Sequence, residues 1–357
     1  MKILVISNSA NSLWYFRRGH IKALDERSEV TIIAINDVTD LTRLQYLSKH
    51  STNLRLVNSN LALLSSILLL SFRKDVIFSY SILAGVFGGL TGWLYGINRR
   101  IVLFSGLGYL NYIRKKTILS RLIALCLRFN NAAIFVNNED SKKLEETYKL
   151  SFSKKLIILG EGMDLKSVAG KLPHNKTAIY AGRLHPQKCV DVLVDAFAEQ
   201  SNLKRLILVG FTRKDLLDYY KRDFNLTNID CVGRVDDIYP YLNDSRYAIM
   251  PSIPGEGFPT FLMEAMTNGR ICVSTNTFGN LDAMDDGRNG YLINHGYFRN
   301  LNIDYSGAVR EFRDTLNSLG EDLNREGEYK RRSIAFMETQ CERKNVAKNI
   351  ANFIINS

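Results

Sequence analysis

The chain has 357 residues, a hydrophobic content of 46% and a charged content of 23%, proportions that exclude a fibrous or disordered protein. At this length two domains are expected, each able to bury its own core. The net charge of +11 is one-sided: residues 1–160 hold 22 Lys/Arg against 10 Asp/Glu, and residues 161–357 hold 25 against 26. A one-sided basic surface attracts polyanions, either nucleic acid or an anionic membrane. No nucleic-acid reading motif is interleaved with the basic residues, so nucleic acid is not expected as a partner. Cys126, Cys189, Cys231, Cys272 and Cys341 are odd in number and lack a C-x-x-C spacing. That argues against a disulfide framework or a zinc site and for a reducing compartment.

In chain order, residues 1–7 read as a strand rather than a signal peptide, because the apolar run is too short. Strands are predicted at 3–7, 30–35, 54–57, 76–80, 101–105 and 133–137, with amphipathic segments of crossover length between them. After the first strand, the loop Asn8-Ser-Ala-Asn-Ser12 leads to a helix that offers Arg17, Arg18 and His20. The apolar run 61–72 is too short to span a bilayer; it reads as a buried crossover helix ending at Arg73-Lys74, or as a surface anchor. Ser105-Gly-Leu-Gly-Tyr109 follows the fifth strand. Gly106 and Gly108 there would let an acceptor or phosphate approach the backbone, or would serve a tight turn. Residues 112–128 are basic and apolar at near-helical spacing, which suits a membrane surface or a core helix with a solvated basic face.

The patterns lapse at about 160–176, the expected domain boundary. They resume with strands at 178–181, 206–209, 229–232, 247–250, 271–274 and 290–293, and end in an amphipathic helix at 342–355. Near-continuous apolar strands alternating with helices imply parallel sheets covered on both faces. Two such series imply two doubly wound α/β domains facing across a cleft, with ligands at the carboxyl ends of the strands.

The most informative stretch is Pro251-Ser-Ile-Pro-Gly-Glu-Gly-Phe-Pro-Thr-Phe-Leu-Met-Glu-Ala-Met266. Pro259 fits the first position of a helix running over about 259–268 and stopping at Gly269. Glu256 then lies in the loop before the helix and Glu264 within it, with unpaired helix-start N–H groups between them. This is an anion site flanked by carboxylates, a polarity that suits a sugar nucleotide. Upstream, Tyr180-Ala-Gly-Arg-Leu-His-Pro-Gln-Lys188 places Arg183 and Lys188 after a strand. A Lys at a helix start opposes the helix dipole, which favours a functional reason for it.

Glu256-x7-Glu264 resembles the signature of the retaining GT-B glycosyltransferases of family 4. The segment 180–188 is similar to that family's Gly-Arg-Leu…Lys run, with Cys189 where a Gly usually follows the Lys. Gly160-Glu-Gly-Met-Asp164 stands where the family often has Asn-Gly-Val-Asp. The resemblance spans most of the chain in the right order. It implies an acceptor-binding domain over 1–165, on which a closing helix at about 342–357 packs back, and a donor-binding domain over 166–341. Arg183, Lys188 and Glu256 would be catalytic. Glu264 would accept from the ribose hydroxyls, with Gly182, Gly257, Phe258, Thr260 and Phe261 around the diphosphate and sugar. Arg234 and Val235, in Cys231-Val-Gly-Arg-Val235, would line the base. Ser9 and Ala10 stand where many members carry a Gly-Gly pair; with Arg17, His20, Gly106 and Gly108 they make up the acceptor or phosphate side. Ser105–Tyr109 resembles a segment of bacterial O-antigen and capsule transferases that act on polyprenyl-diphosphate-linked glycans.

The resulting expectation is a retaining, metal-independent transferase without a cofactor. It would move an N-acetylhexosamine or hexose from a UDP-sugar, in preference to a GDP-sugar, to a polyprenyl-diphosphate-linked saccharide. It would be cytoplasmic, peripheral on the inner face of the plasma membrane, and held to anionic lipid by its basic first domain. Two alternatives stand beside it: a GT-B UDP-sugar 2-epimerase, and a non-catalytic membrane-associated partner of a transferase complex. The absence of an evident general base agrees with a mechanism in which the departing diphosphate takes the acceptor proton.

Overall fold

A computed structural model describes residues 1–107, 118–165, 172–200, 202–253, 257–284, 287–293 and 304–357. The chain divides into two compact units, Met1–Asp164 with Gln340–Ser357, and Leu165–Thr339. Each is built on one parallel sheet.

In the first unit the strands are β1 (Lys2–Ser7), β2 (Glu29–Ile35), β3 (Asn53–Val57), β4 (Val76–Tyr80), β5 (Arg99–Phe104), β6 (Ala132–Phe135) and β7 (Lys154–Ile157). Their spatial order is β3-β2-β1-β4-β5-β6-β7, all parallel. The sequence missed β7. It is a four-residue edge strand whose Lys154 and Lys155 are exposed, and lysines on an edge discourage pairing with another chain. The helices are α1 (Ala10–Asp25), α2 (Leu41–Lys49), α3 (Asn60–Leu70), α4 (Ile82–Leu94), α5 (Ile118–Leu127) and α6 (Asn138–Tyr148). The sheet interior is fully apolar, Ile3 through Ile6 and Ile101 through Phe104 being inaccessible to solvent, because crossover helices cover both faces.

In the second unit the strands are β8 (Thr177–Ala181), β9 (Arg205–Val209), β10 (Ile229–Gly233), β11 (Tyr247–Met250), β12 (Ile271–Thr275) and β13 (Gly290–Ile293), ordered β10-β9-β8-β11-β12-β13. Between and after them run α7 (Val190–Glu199), α8 (Arg213–Tyr220), α9 (Tyr239–Asn243), α10 (Thr260–Thr267), α11 (Phe278–Ala283), α12 (Tyr305–Ser318) and α13 (Leu323–Phe336). The chain then returns to the first unit as α14 (Arg343–Asn356), which buries Val346, Ile350 and Ile354 and packs on α1. The return is fixed by two backbone bonds, Met163 N–H to Cys341 O at 2.8 Å and Arg343 N–H to Met163 O at 2.9 Å. Gly162 makes the passage possible: its φ is +87°, and a Cβ there would lie 2.9 Å from Arg343 Cα.

The run at 61–72 forms a crossover helix, α3, that buries Leu63 and Ile67 while Leu61 is 78% and Leu69 67% exposed. Residues 118–127 form α5, which exposes Arg121 together with Leu119, Leu122 and Leu125, a face both basic and apolar. Among the described residues no helix is long and apolar enough to cross a membrane.

A buried carboxylate holds the second unit together on the side where its strands begin. Glu326 on α13 accepts from Arg246 Nε at 2.9 Å, Tyr247 OH at 3.0 Å and Gly320 N at 2.9 Å. Removing it would strand the Arg246 guanidinium, itself largely buried. We expect Glu326→Ala to cost about 3–5 kcal/mol, measured by urea unfolding; a loss under about 1 kcal/mol would contradict this account.

Candidate functional site

Parallel strands bring every carboxyl end to one edge of the sheet, and a crevice opens where neighbouring crossovers leave in opposite directions. In the second unit that point is between β8 and β11. β8 runs directly into Gly182 and Arg183. Arg183 is exposed and Lys188 half-buried. Tyr180 is fully buried, and its hydroxyl donates to Arg183 O at 3.4 Å. Gly182 N–H bonds Val209 O, and Gly210 N–H bonds Gly233 O at 2.7 Å, so the ends of β8, β9 and β10 are laced together. Gly210 has φ +117°, and a Cβ there would lie 2.2 Å from Gly182 O. Only a glycine tolerates that approach. Arg234 follows Gly233, exposed, with Val235 half-buried beside it.

Lys188 does not open the following helix, as the sequence suggested. It closes a 3-10 turn, Pro186–Lys188, and Cys189 caps α7. Cys189 explains the missing glycine: it occupies the left-handed region, φ 45° and ψ 43°, with its side chain buried. Burial pushes its thiol well up, with nearby Asp191 adding to the shift, so it stays protonated and unreactive.

After β11, Pro251–Ile253 are buried, and Ile253 N–H bonds Gln187 O at 2.9 Å. This bond, with the Tyr180–Phe261 ring contact at 6.3 Å, ties the loop carrying Lys188 to the segment that opens α10. Glu256 lies outside the described residues. Gly257, Phe258 and Pro259 are buried. Pro259 is the N-cap of α10, so the helix begins one position later than predicted, and Gly269 follows the C-cap with φ +65°. No side chain caps the helix, and its first intrahelical bond is Met263 N–H to Pro259 O. The N–H groups of Thr260, Phe261 and Leu262 therefore have no intrahelical acceptor. Phe261 to Met263 and Ala265 to Thr267 are buried, whereas Thr260 and Glu264 are half-exposed. The two are four residues apart and share one helix face. Glu264 thus lines up with the helix start. Among the described residues no group of three His, Cys, Asp or Glu is placed to hold a metal ion.

The first unit treats its expected residues differently. Ser9 caps α1, accepting from Ser12 N–H at 2.9 Å. Asp37 already occupies that helix start: it accepts from the Ser9 hydroxyl and from Asn11 N–H at 2.8 Å. Ala10 is buried. Arg17 and His20 are not free to meet a ligand. Arg17, 5% exposed, makes a bidentate pair with Glu161 and donates to Ser12 Oγ at 2.8 Å. Burial alone would raise the Glu161 carboxyl, but the Arg17 charge and hydrogen bonds outweigh it and hold it below its ordinary value. His20 is fully buried between Tyr80 OH at 3.1 Å and the Glu161 carbonyl at 2.9 Å. Burial lowers its pKa to about 4. The neutral ring must donate from Nε2 to the carbonyl and accept at Nδ1 from Tyr80. The sequence missed the roles of Glu161 and Asp37: Glu161 lies within the quoted segment 160–164 without a role assigned to it, and Asp37 lies in none of the quoted segments. Gly106 follows β5 with φ +135°; Gly108 lies outside the described residues.

Residues 175–301, within the second unit, match the profile of glycosyl transferases group 1. An uncharacterized glycosyltransferase of Methanocaldococcus jannaschii is 23% identical over 189 residues, 52% of this chain and about half (53%) of its own length. An Escherichia coli UDP-Gal:alpha-D-GlcNAc-diphosphoundecaprenol alpha-1,3-galactosyltransferase is 25% identical over 68% of each chain. A Campylobacter jejuni N,N'-diacetylbacillosaminyl-diphospho-undecaprenol alpha-1,3-N-acetylgalactosaminyltransferase is 24% identical over 81% of this chain and 84% of its own. Among solved structures, Anabaena Alr3699/HepE in complex with UDP and glucose superposes over 100% of both chains with a TM-score of 0.77 at 18% identity. The fold is GT-B, with two Rossmann-like α/β domains.

Two measurements probe these sites. Between about pH 4 and the ordinary histidine value of 6.5, the unfolded chain binds a proton that folded His20 refuses. Stability therefore falls as pH drops through that window, by up to about 1.4 kcal/mol per unit. His20→Gln should flatten the dependence of Tm on pH there; an unchanged slope would remove His20 as its source. At position 189, Cys189→Gly should hold stability to within about 1 kcal/mol, relief of the left-handed backbone offsetting lost packing. Cys189→Val should cost more than about 2 kcal/mol in the same urea titration.

Proposed function

We propose that the protein is a retaining glycosyltransferase that moves a hexose or N-acetylhexosamine from a UDP-sugar to a polyprenyl-diphosphate-linked saccharide in bacterial surface-polysaccharide synthesis. The observation that carries the reading is the Ile253–Gln187 backbone bond within the group 1 domain. It joins a loop bearing two cations to a helix start that lacks a side-chain cap. Transfer leaves negative charge on a departing nucleoside diphosphate. Fixed cations and helix N–H groups stabilise that charge without reorganising and without a metal. In this reading Arg183 and Lys188 meet the diphosphate, with Gly182 permitting close approach. The N–H groups of Thr260 and Phe261 complete its cradle. Glu264 accepts from the ribose hydroxyls, and Glu256 faces the transferred sugar beside Gly257 and Phe258. Arg234 and Val235 lie by the base.

UDP as the nucleotide is supported by the E. coli relative's donor and by the ligand of the Anabaena structure. A lipid-linked acceptor is supported by the diphosphoundecaprenol substrates of the two bacterial relatives. Such an acceptor brings the enzyme to the inner face of the plasma membrane as a peripheral protein. On the acceptor side Ser9, Ala10 and Gly106, with Gly108, are proposed to border the incoming diphosphate. Arg17 and His20 hold that region from within.

UDP and UDP-sugars should raise Tm and GDP-sugars should not, since a ligand that binds only the native state stabilises it. Lys188→Ala and Glu256→Ala should each lower kcat by about a hundredfold or more at saturating donor. The product should keep the donor's anomeric configuration by NMR, and a chelator should leave the rate unchanged. Full transfer by either variant would overturn the assignment, and stabilisation by GDP-sugars alone would overturn the nucleotide.

A further inference from the structure

Helix α4 is built inside out. Its sheet-facing side consists of Ala84, Gly85, Gly88, Gly89, Thr91 and Gly92, all buried. A Cβ at Gly85 would lie 2.5 Å from Val102 Cγ2, and one at Gly88 within 2.4 Å of Ser79 Oγ. The helix is pressed so closely on the sheet that no larger side chain fits beneath it. Ile82, Val86 and Phe87 pack against the flanking core clusters, but the bulky residues at its C-terminal end face out, Trp93 at 54% and Leu94 at 62% exposure. α4 contacts both α3 and α5, and these are apolar outside as well as inside. α5 buries Ser120, Ala124 and Leu127 while exposing Leu122 and Leu125; α3 buries Leu63 and Ile67 while exposing Leu61 and Leu69. Of the eighteen large apolar side chains exposed among the described residues, twelve belong to these three helices or to the two residues following them. An amphipathic surface helix normally turns such residues inward, so a contiguous outward patch calls for a covering partner.

The charge around the patch selects that partner. Along α3, α4, α5 and the turns that follow them, the described residues include Arg73, Lys74, Arg121 and Arg128 against a single acid, Asp75. Arg73, Arg121 and Arg128 are exposed. Apolar side chains within a basic surround match the acyl boundary and the headgroups of an anionic bilayer at once. Nucleic acid would leave the leucines in water. Among the described residues no helix is long and apolar enough to span a bilayer.

We propose that the outward face of α3, α4 and α5 is the surface by which this protein lies in the plane of an anionic phospholipid membrane. Trp93, Leu94, Leu122 and Leu125 sit in the headgroup–acyl boundary, and Arg73, Arg121 and Arg128 lie against lipid phosphates. The inference rests on the lipid-borne acceptor proposed above for its purpose, but its test needs no acceptor.

The full chain carrying Trp14→Phe keeps Trp93 as its only tryptophan. Mixed with vesicles of phosphatidylcholine and about 30% phosphatidylglycerol, it should float with them and shift its emission to the blue. Phosphatidylcholine vesicles alone, or salt raised to about 0.5 M, should weaken binding. Leu122→Ser with Leu125→Ser should reduce partition at least about tenfold, and Arg121→Glu should remove preference for the anionic lipid. Both variants should retain the Tm and the UDP-induced Tm shift. Failure of the Trp14→Phe chain to bind anionic vesicles would overturn the proposal. So would undiminished binding by the leucine variant, or light scattering showing a dimer that this variant dissociates. Vesicle binding without transfer to any lipid-linked acceptor would leave the face standing and defeat the acceptor reading.

Discussion

The constraint on which everything else rests is the parallel pairing of all thirteen described strands. A parallel strand cannot return by a tight turn; the chain must cross over the face of the sheet before pairing again. Each carboxyl end therefore opens into a loop on the same edge. In the second unit this collects Gly182–Lys188, Gly210, Gly233–Arg234 and the start of α10 at one edge, although they are spread over some eighty positions of sequence. The same rule covers both faces with helices, which is why the strands are apolar on both sides.

The two units use that shared architecture for different ends. In the second, the switch point is left with exposed or half-exposed polar groups and a helix start without a side-chain cap. In the first, the corresponding place is filled from within by Asp37 at α1, and the neighbouring Arg17 is consumed by Glu161. Where the resemblance has Asn, this chain has Glu161, and that carboxylate compensates a buried guanidinium. The units share a plan and differ in what remains available to a ligand.

Much of this was legible in the sequence because the parallel-sheet pattern is strong: twelve strands are marked by mainly apolar runs between turns. β7 escaped because Lys154-Lys155 break its run. The residues proposed for the donor side stood out in the sequence because glycines and a cation at a strand end have few structural uses. The identity of Arg17 as a buried partner was not. Its partner lies 144 positions away, and a lone Arg on an amphipathic helix reads the same whether it meets solvent, ligand or an internal acid. Likewise α4 reads simply as apolar; only the packing of Gly85 and Gly88 on the sheet reveals which side is out.

Glu326 has a consequence for how the second unit can change. It gathers Arg246 and Tyr247 at the beginning of β11, Gly320 in the preceding turn, and its own helix. All of these lie at the end of the sheet remote from Arg183, Lys188 and α10. The side-chain network of Glu326 is concentrated at the base, whereas the loops at the top are joined through backbone bonds such as Gly210 N–H to Gly233 O and Ile253 N–H to Gln187 O. Under the proposed function, substitution in those loops could change which sugar or base is accepted while the Glu326 contacts that keep the unit folded stay intact.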